Sequence, residues 1–154
     1  MMCLTIKSYK IVISDRVIEI FNQYIQDTAK KDESGGILLG QVVGEKICIT
    51  KVSIPNRFDK AGRCKFIRDS KAAQIIIDYE FINSNKKTIY LGEWHTHPEI
   101  SPNPSSIDIK MLEQQFKNNR INEKYLLLII RGLQDIYVAL YDGKGFEGKL
   151  LELR

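Results

Sequence analysis

The chain has 154 residues, of which 44% are hydrophobic and 27% are charged, a balance typical of a single soluble domain with its own core. The net charge is +4, and the lysines and arginines are scattered instead of forming a stripe with aromatic residues, which argues against nucleic-acid binding. The three cysteines include no C-x-x-C pair, which argues against a disulfide framework or a cysteine zinc site. No signal peptide and no apolar run of membrane-spanning length is visible, so we expect a cytoplasmic protein without a membrane partner.

The first part of the chain predicts a strand, a helix and a hairpin. Residues 4–13 are rich in β-branched side chains and predict one interrupted strand. Ser14 is a typical helix N-cap, and apolar residues at helical spacing predict a helix over 15–30. Residues 36–43 and 46–54 then predict two strands joined by a tight turn.

The middle of the chain predicts a polar loop over 55–65 and a second helix over 71–83. Asp69 or Ser70 is placed to cap that helix. Residues 88–97 predict a strand, and its apolar beginning indicates a central position in the sheet.

The last part predicts a third helix that begins near Ser105 and ends at Asn118 and Asn119. A hairpin over 125–141 and a short strand over 145–153 follow. This order of elements predicts one α/β sandwich domain over the whole chain, with about three helices and a mixed or antiparallel sheet.

The two histidines of the chain lie two positions apart, at the end of the predicted strand over 88–97. Successive side chains of a strand point to opposite faces, so His95 and His97 share a face. Two imidazoles with carboxylates in reach are typical ligands of zinc or a similar metal. The alternative is that the pair only packs.

Ser105 and Asp108 follow at a spacing that has two interpretations. The plain one is a capping box, in which Ser105 caps the third helix and Asp108 takes the place of the acid. The other is that Asp108 converges with His95 and His97 on one metal. Two histidines and one carboxylate would leave a coordination position open for water, as in catalytic zinc sites.

The identity of a catalytic base is open from the residues alone. Glu93 shares a strand face with the two histidines, so it competes either as base or as ligand, and spacing slightly favours it. Glu33 is distant in sequence but directly precedes a strand that begins with Gly35 and Gly36. Glycines there permit the close approach of another chain or a ligand.

Three segments together resemble the JAMM (MPN-type) metallopeptidase family. They read ESGGILLG at 33–40, GEWHTHP at 92–98 and PSSID at 104–108. The family signature is a distant Glu, then H-x-H, seven residues and S-x-x-D, and this chain carries all of it. The resemblance implies the cytidine-deaminase-like α/β architecture of the family, and the chain resembles its compact, stand-alone prokaryotic form.

The resemblance also implies roles for single residues. One zinc ion per chain would be bound by His95, His97 and Asp108, with Glu33 as the general acid and base. Ser105 would stabilise the oxyanion of the tetrahedral intermediate. Glu93, together with the glycines at 35 and 36, would face the substrate or support the site.

Such enzymes hydrolyse bonds that follow the C-terminal tail of ubiquitin-like proteins, and the tail would lie extended beside a strand near the site. Stand-alone prokaryotic forms accompany conjugating enzymes in bacterial operons, including antiviral CBASS systems, where the peptidase releases a conjugated cyclic-nucleotide synthase. The alternatives are processing of a sulfur-carrier or ubiquitin-like precursor, or a non-catalytic scaffold. The oligomeric state is open.

Overall fold

One eight-stranded mixed sheet organises the computed structural model, which describes residues 1–118 and 123–153. The strands are β1 (Met2–Ile6), β2 (Tyr9–Ile13), β3 (Gly35–Val43), β4 (Lys46–Val52), β5 (Lys60–Gly62), β6 (Lys65–Ile67), β7 (Ile89–Thr96), β8 (Leu126–Arg131), β9 (Asp135–Tyr141) and β10 (Phe146–Glu152). The helices are α1 (Asp15–Gln23), α2 (Ser70–Asn83) and α3 (Ser106–Asn118). The sheet order is β1-β2-β4-β3-β7-β8-β9-β10, with β2/β4 and β7/β8 parallel and the other pairs antiparallel. The predicted α/β fold with a mixed sheet is confirmed, and β7 is central as expected.

The N-terminal prediction of one interrupted strand is wrong, because residues 2–13 form an antiparallel hairpin of β1 and β2. The chain reverses at Lys7, whose φ is 53°, a left-handed value that suits a tight turn. Apolar residues on both arms obscured the turn, since Leu4, Ile6 and Ile11 are all buried in the same core.

Helix α1 is shorter than predicted and ends at Gln23 instead of near residue 30. Its beginning agrees with the prediction, since Ser14 Oγ accepts a hydrogen bond from Val17 N at 3.3 Å. The early end has a tertiary cause. The side chain of Gln26 is buried and donates hydrogen bonds to the carbonyls of Lys31 and Arg63, which holds residues 26–31 in a non-helical path.

The stretch predicted as a polar loop contains a small hairpin, so that prediction is wrong over residues 60–65. Strands β5 and β6 pair antiparallel as a separate two-stranded sheet. The hairpin packs against the large sheet through Phe66, because a Cβ atom built at Gly35 would lie 2.6 Å from the Phe66 ring.

The remaining elements agree with the sequence. Asp69 caps α2 by accepting a hydrogen bond from Ala72 N at 2.9 Å. The tight turn of β3 and β4 contains Gly44, with a φ of 60°. Helix α3 ends at Asn118, and Asn119, the second residue of its predicted end, lies outside the described residues.

A bulge in β7 decides which of its side chains share a face. Leu38 of β3 lies opposite Gly92 and Leu39 lies opposite Tyr90, so Leu91 is an extra residue. Gly92 permits this, because its φ is 151° and an added Cβ would lie 1.9 Å from the Leu127 carbonyl oxygen. After the bulge, the alternation of side chains is inverted.

The two faces of the sheet carry separate cores. One contains Val17 and Phe21 of α1 together with Trp94 of β7. The other contains Ala73 of α2 and Leu112 of α3.

The three cysteines are free. In the part of the chain that the structure describes, no helix has the length and apolar composition to cross a membrane.

Candidate active site

Four side chains meet where β3 begins and β7 ends. Glu33, His95, His97 and Asp108 each present one nitrogen or oxygen atom, and these atoms all lie within 4.8 Å of one another. Glu33 is 5% exposed, His95 8% and His97 9%. Asp108 is half-buried, so the three residues predicted as metal ligands and the glutamate implied by the resemblance lie in one largely buried cluster, which we call the four-residue cluster.

Pairing between β3 and β7 places Glu33 in the cluster. Gly35 lies opposite His95, and the ladder continues beyond β3, where Thr96 N donates to Ser34 O at 2.9 Å. The Thr96 hydroxyl accepts a hydrogen bond from Ser34 N at 2.9 Å. On the other side, Glu33 N donates to the Gly62 carbonyl at 2.7 Å. The backbone around Glu33 is thus fixed on both sides.

The first turn of α3 supplies Asp108, which forms the predicted cap and also lies beside the two histidines. Asp108 Oδ2 accepts from Ser105 N at 2.8 Å, and Ser105 Oγ accepts from Asp108 N at 3.1 Å, as in a capping box. The same carboxylate reaches the histidines, with Oδ1 3.2 Å from His95 Nε2 and Oδ2 3.2 Å from His97 Nε2. The cap therefore orients Asp108 toward the cluster.

The charges in the cluster shift the pKa values of its members. Burial raises the pKa of Glu33 from 4.5 to about 6, against the lowering effect of His95 and His97. Burial also acts to raise the pKa of Asp108, but the close contacts with the two histidines outweigh it and hold that pKa well below its usual range. For His97 burial lowers the pKa, and the contacts with Asp108 and Glu33 more than compensate, so the pKa is raised.

The donor set fits a zinc ion. Within residues 1–118 and 123–153, the buried Nε2 atom of His95 lies 3.2 Å from Asp108 Oδ1, but the geometry of this contact is not that of a hydrogen bond, and the atom has no other partner. A buried polar atom without a partner costs roughly 1–3 kcal/mol, and a metal ion would remove that cost. Two imidazole nitrogens and carboxylate oxygens are also the ligand types that zinc takes in open, catalytic sites.

Glu93 lies on the same strand face but outside the four-residue cluster. Its carboxylate accepts a hydrogen bond from Arg68 Nε at 2.5 Å and another from the Tyr90 hydroxyl at 2.5 Å. Burial raises its pKa, while Arg68 and Tyr90 act in the opposite direction. The preference for Glu93 that spacing alone suggests is therefore not supported by the geometry, because both of its oxygens are engaged elsewhere.

Gly35 and Gly36 are approached by the chain itself. An added Cβ at Gly35 would lie 2.5 Å from the Trp94 carbonyl oxygen, and one at Gly36 would lie 2.4 Å from the Ser53 carbonyl oxygen. Ser53 Oγ also accepts from Ile37 N at 2.8 Å. Residues of this protein therefore occupy the space beside both glycines, and the approach of another chain or a ligand there stays a prediction.

Two residues near the cluster were not predicted from the sequence. Glu99 Oε1 lies 2.9 Å from His97 Nδ1, and its position two residues after a histidine is a signal that could have been used. Gln26 accepts a hydrogen bond of 2.9 Å from the Thr96 hydroxyl, and that hydroxyl accepts a hydrogen bond from Ser34 N. No local pattern could reveal Gln26, since its partners Arg63 and Thr96 are distant in sequence.

Comparison with known proteins gives a family match and close relatives. The sequence model of the prokaryotic homologs of the JAB domain (Prok-JAB) matches residues 23–141. A protein named CD-NTase/cGAS isopeptidase from Pseudomonas aeruginosa (strain BWHPSA011 / Pa011) is 33% identical over 132 residues, covering 86% of this chain and 83% of the relative. One with the same name from Escherichia coli (strain TW11681) is 35% identical over 129 residues, covering 84% of this chain and 80% of the relative.

A solved structure agrees at the level of the fold. A solution structure of a protein from Desulfitobacterium hafniense has a TM-score of 0.63, with 18% sequence identity and coverage of 90% of this chain and 89% of that one. The family match includes all four cluster residues, and both isopeptidase relatives align over most of their own length. The family predicted from the motifs is confirmed: this chain belongs to the prokaryotic homologs of the JAB domain, within the JAMM (MPN-type) group.

Proposed function

We propose that this protein is a zinc-dependent isopeptidase that cleaves after the C-terminal tail of a conjugated protein. The substrate we propose is a conjugate of a CD-NTase, a cyclic-nucleotide synthase, in the cytoplasm of a bacterium with a CBASS antiphage system. The names of the relatives support this substrate. The observation that carries the activity is the burial of Glu33 among His95, His97 and Asp108.

His95, His97 and Asp108 would hold one zinc ion. When bound, zinc acts as a Lewis acid and lowers the pKa of a coordinated water to about 7. Each histidine would bind through Nε2, the nitrogen that faces Asp108. The carboxylate of Asp108 is held ionised by the histidines, as a metal ligand requires.

Glu33 moves the proton in this proposal. Its carboxylate Oε1 lies 3.8 Å from His95 Nε2, next to the ligand atoms. A carboxyl with a pKa raised to about 6 can accept a proton from water and then release it near neutral pH. Water oxygen adds to the carbonyl carbon, the C–N bond breaks, and Glu33 delivers the proton to the leaving amine. The products are a free C-terminal carboxylate and a free lysine amine.

Two further features of the site would contact the substrate. The Ser105 hydroxyl lies at the start of α3, where it would donate to the oxyanion that forms on the carbonyl carbon. Among the described strands, β6 pairs only with β5, so its other edge can accept an extended tail beside the site. The ion pair of Glu93 and Arg68 would support the strand that carries the histidines.

The test is hydrolysis of a CD-NTase tail joined through an isopeptide bond to a lysine peptide, followed by mass spectrometry. We expect Glu33→Gln to lose at least a hundredfold in kcat while it keeps one zinc per chain by elemental analysis. Glu113→Gln, an exposed change on α3, is the matched control and should cleave normally.

Two outcomes would overturn the proposal. Full activity of Glu33→Gln would exclude Glu33 as the base, and loss of activity confined to Glu93→Gln would transfer that role to Glu93. Purified wild-type protein that binds no zinc and cleaves nothing would instead support a scaffold.

A further inference from the structure

The loop over residues 98–102, which follows the two histidines, packs against the turn between β8 and β9. Leu133 N in that turn donates a hydrogen bond to the Glu99 carbonyl at 2.7 Å. Asp135 N, at the start of β9, donates to the Ile100 carbonyl at 3.1 Å. The backbone of the loop is thus bonded to the β8–β9 turn at Glu99, the residue whose carboxylate contacts a histidine of the four-residue cluster.

Gly132 allows the turn and the loop to lie in direct contact. A Cβ atom added there would lie 2.5 Å from Pro102 Cδ and 2.7 Å from the Glu99 carbonyl oxygen. Both distances are far shorter than a van der Waals contact. Ser101 Oγ also donates a hydrogen bond to the Asp135 carboxylate. A side chain at position 132 would therefore displace the turn or the loop, and the atom it meets belongs to Glu99 itself.

Arg131, the last residue of β8, holds the turn in place. Its side chain is buried, and Nη1 donates to the Gly132 carbonyl at 2.8 Å and to the Asp135 carbonyl at 3.3 Å. Nε donates to Asn22 Oδ1 of α1 at 3.1 Å. Because the donors of a guanidinium lie in one rigid plane, they fix the spacing of the carbonyls on both sides of the turn. The Arg131 carbonyl accepts a hydrogen bond from His97 N at 3.0 Å, so the turn is also tied to the strand end that carries the histidine.

The position of the Glu99 carboxylate depends on this backbone contact. Glu99 Oε1 lies 2.9 Å from His97 Nδ1, but the Glu99 side chain is 51% exposed. A half-exposed glutamate keeps much of its rotamer freedom, so surrounding side chains do not hold it on the imidazole. The contacts of the Glu99 carbonyl with Leu133 and Gly132 hold its backbone instead. A carboxylate on the outer nitrogen of a metal-binding histidine orients the ring and raises its basicity.

We propose that the β8–β9 turn positions Glu99 on His97, with Gly132 as the positioning residue. Retention of the metal ion would then depend on a turn that contributes no residue to the four-residue cluster. This inference rests on the zinc site of the proposed function and is independent of the substrate.

The experiment measures the zinc affinity of Gly132→Ala, Glu99→Ala and the double variant by competition with a chromogenic chelator. We expect Gly132→Ala to weaken zinc binding by up to about tenfold, and by no more than Glu99→Ala does. In the double variant, Gly132→Ala should add less than about a twofold loss to that of Glu99→Ala, because residues that act through one contact are not additive.

Hydrogen exchange at the Leu133 amide of the metal-free protein reports the loop contact without zinc, and Gly132→Ala should speed it. Gly145→Ala, in the turn between β9 and β10, is the matched control, because the nearest atom to an added Cβ there is Lys7 Nζ, at 3.8 Å. It should alter neither measurement. Ser101→Ala removes one hydrogen bond between loop and turn without adding an atom, and should weaken zinc binding less than Gly132→Ala does. If Gly132→Ala does not fold, the same double-variant comparison is made with Ser101→Ala.

Three outcomes would count against the proposal in different ways. Faster exchange at Leu133 with wild-type zinc affinity would show that the turn holds the loop but does not position Glu99. Equal losses of affinity from Gly132→Ala with and without Glu99 would show that the turn does not act through that carboxylate. A wild type that binds no zinc would refute the zinc site of the proposed function and this inference with it, whereas the first two outcomes refute this inference alone.

Discussion

His97 Nδ1 lies 2.9 Å from Glu99 Oε1, while Nε2 of the same ring lies 3.2 Å from Asp108 Oδ2. A metal ion on Nε2 would leave the ring proton on Nδ1, where the Glu99 carboxylate accepts it. The lone pair on Nε2 then faces the four-residue cluster. A carboxylate behind a metal-binding histidine fixes its tautomer and raises its basicity.

We therefore expect Glu99→Ala to weaken zinc binding about tenfold, the low end of the range for such partners, since Glu99 is half exposed and water can replace it. Glu99→Gln, which keeps an acceptor oxygen, should recover part of the loss. Competition with a chromogenic chelator measures the affinity, and Glu113→Ala serves as the control. Unchanged affinity in Glu99→Ala would show that Glu99 does not orient His97.

The raised pKa of Glu33 predicts a cost in stability. Folding raises this pKa from 4.5 to about 6, so the folded state holds the proton more tightly than the unfolded state does. The stability that this proton binding contributes is fully present below pH 4.5 and is lost as the pH rises through 6. A pKa difference of about 1.5 corresponds to about 2 kcal/mol. Metal-free Glu33→Gln should be more stable than the wild type by up to about 2 kcal/mol at pH 8, with the difference vanishing near pH 4.

Urea unfolding at pH 8, 6 and 4 after removal of metal measures this difference. Glu113→Gln should show no such pH-dependent gain, because that side chain is exposed. A Glu33→Gln variant that is less stable than the wild type at pH 8 would contradict the prediction.

The Gly35→Ala variant tests whether close packing requires a glycine at this position. Gly35→Ala places a methyl group 2.5 Å from the Trp94 carbonyl oxygen and 2.6 Å from the Phe66 ring, so we expect a loss of about 1–3 kcal/mol in unfolding free energy. Gly62→Ala is the control, because no atom lies within 4 Å of an added Cβ there. Equal stability of the two variants would mean that the β5–β6 hairpin does not pack against Gly35 through Phe66.

Gln26 is expected to position Glu33. Its amide joins Thr96 to the carbonyls of Lys31 and Arg63, and Thr96 holds Ser34, the residue after Glu33. Gln26→Ala should lower kcat about tenfold with a smaller change in KM, and should speed hydrogen exchange at the Ser34 amide. Gln23→Ala, an exposed change at the end of α1, should alter neither. Faster exchange with unchanged kcat would limit Gln26 to a structural role.

Several elements could be predicted because their signals are local. The histidine pair, the Ser105 and Asp108 cap and the Gly44 turn depend on residues a few positions apart, and strand period, capping and turn chemistry act over that distance. The end of α1 and the β5–β6 hairpin could not be predicted this way. Gln26 and Phe66 adopt their positions through contacts with residues more than 30 positions away.

The sequence by itself determined which side chains can act as metal ligands and the family to which the chain belongs, because the spacing of a complete motif carries that information. Spacing slightly favours Glu93 and the resemblance implies Glu33, but only the tertiary structure shows which of the two glutamates lies beside these side chains. Pairing of β3 with β7 brings Glu33 beside His95 across about 60 residues of chain, while Arg68 and Tyr90 engage Glu93 two residues from the same histidine. Sequence distance does not report such pairing, since strand registry depends on the whole sheet.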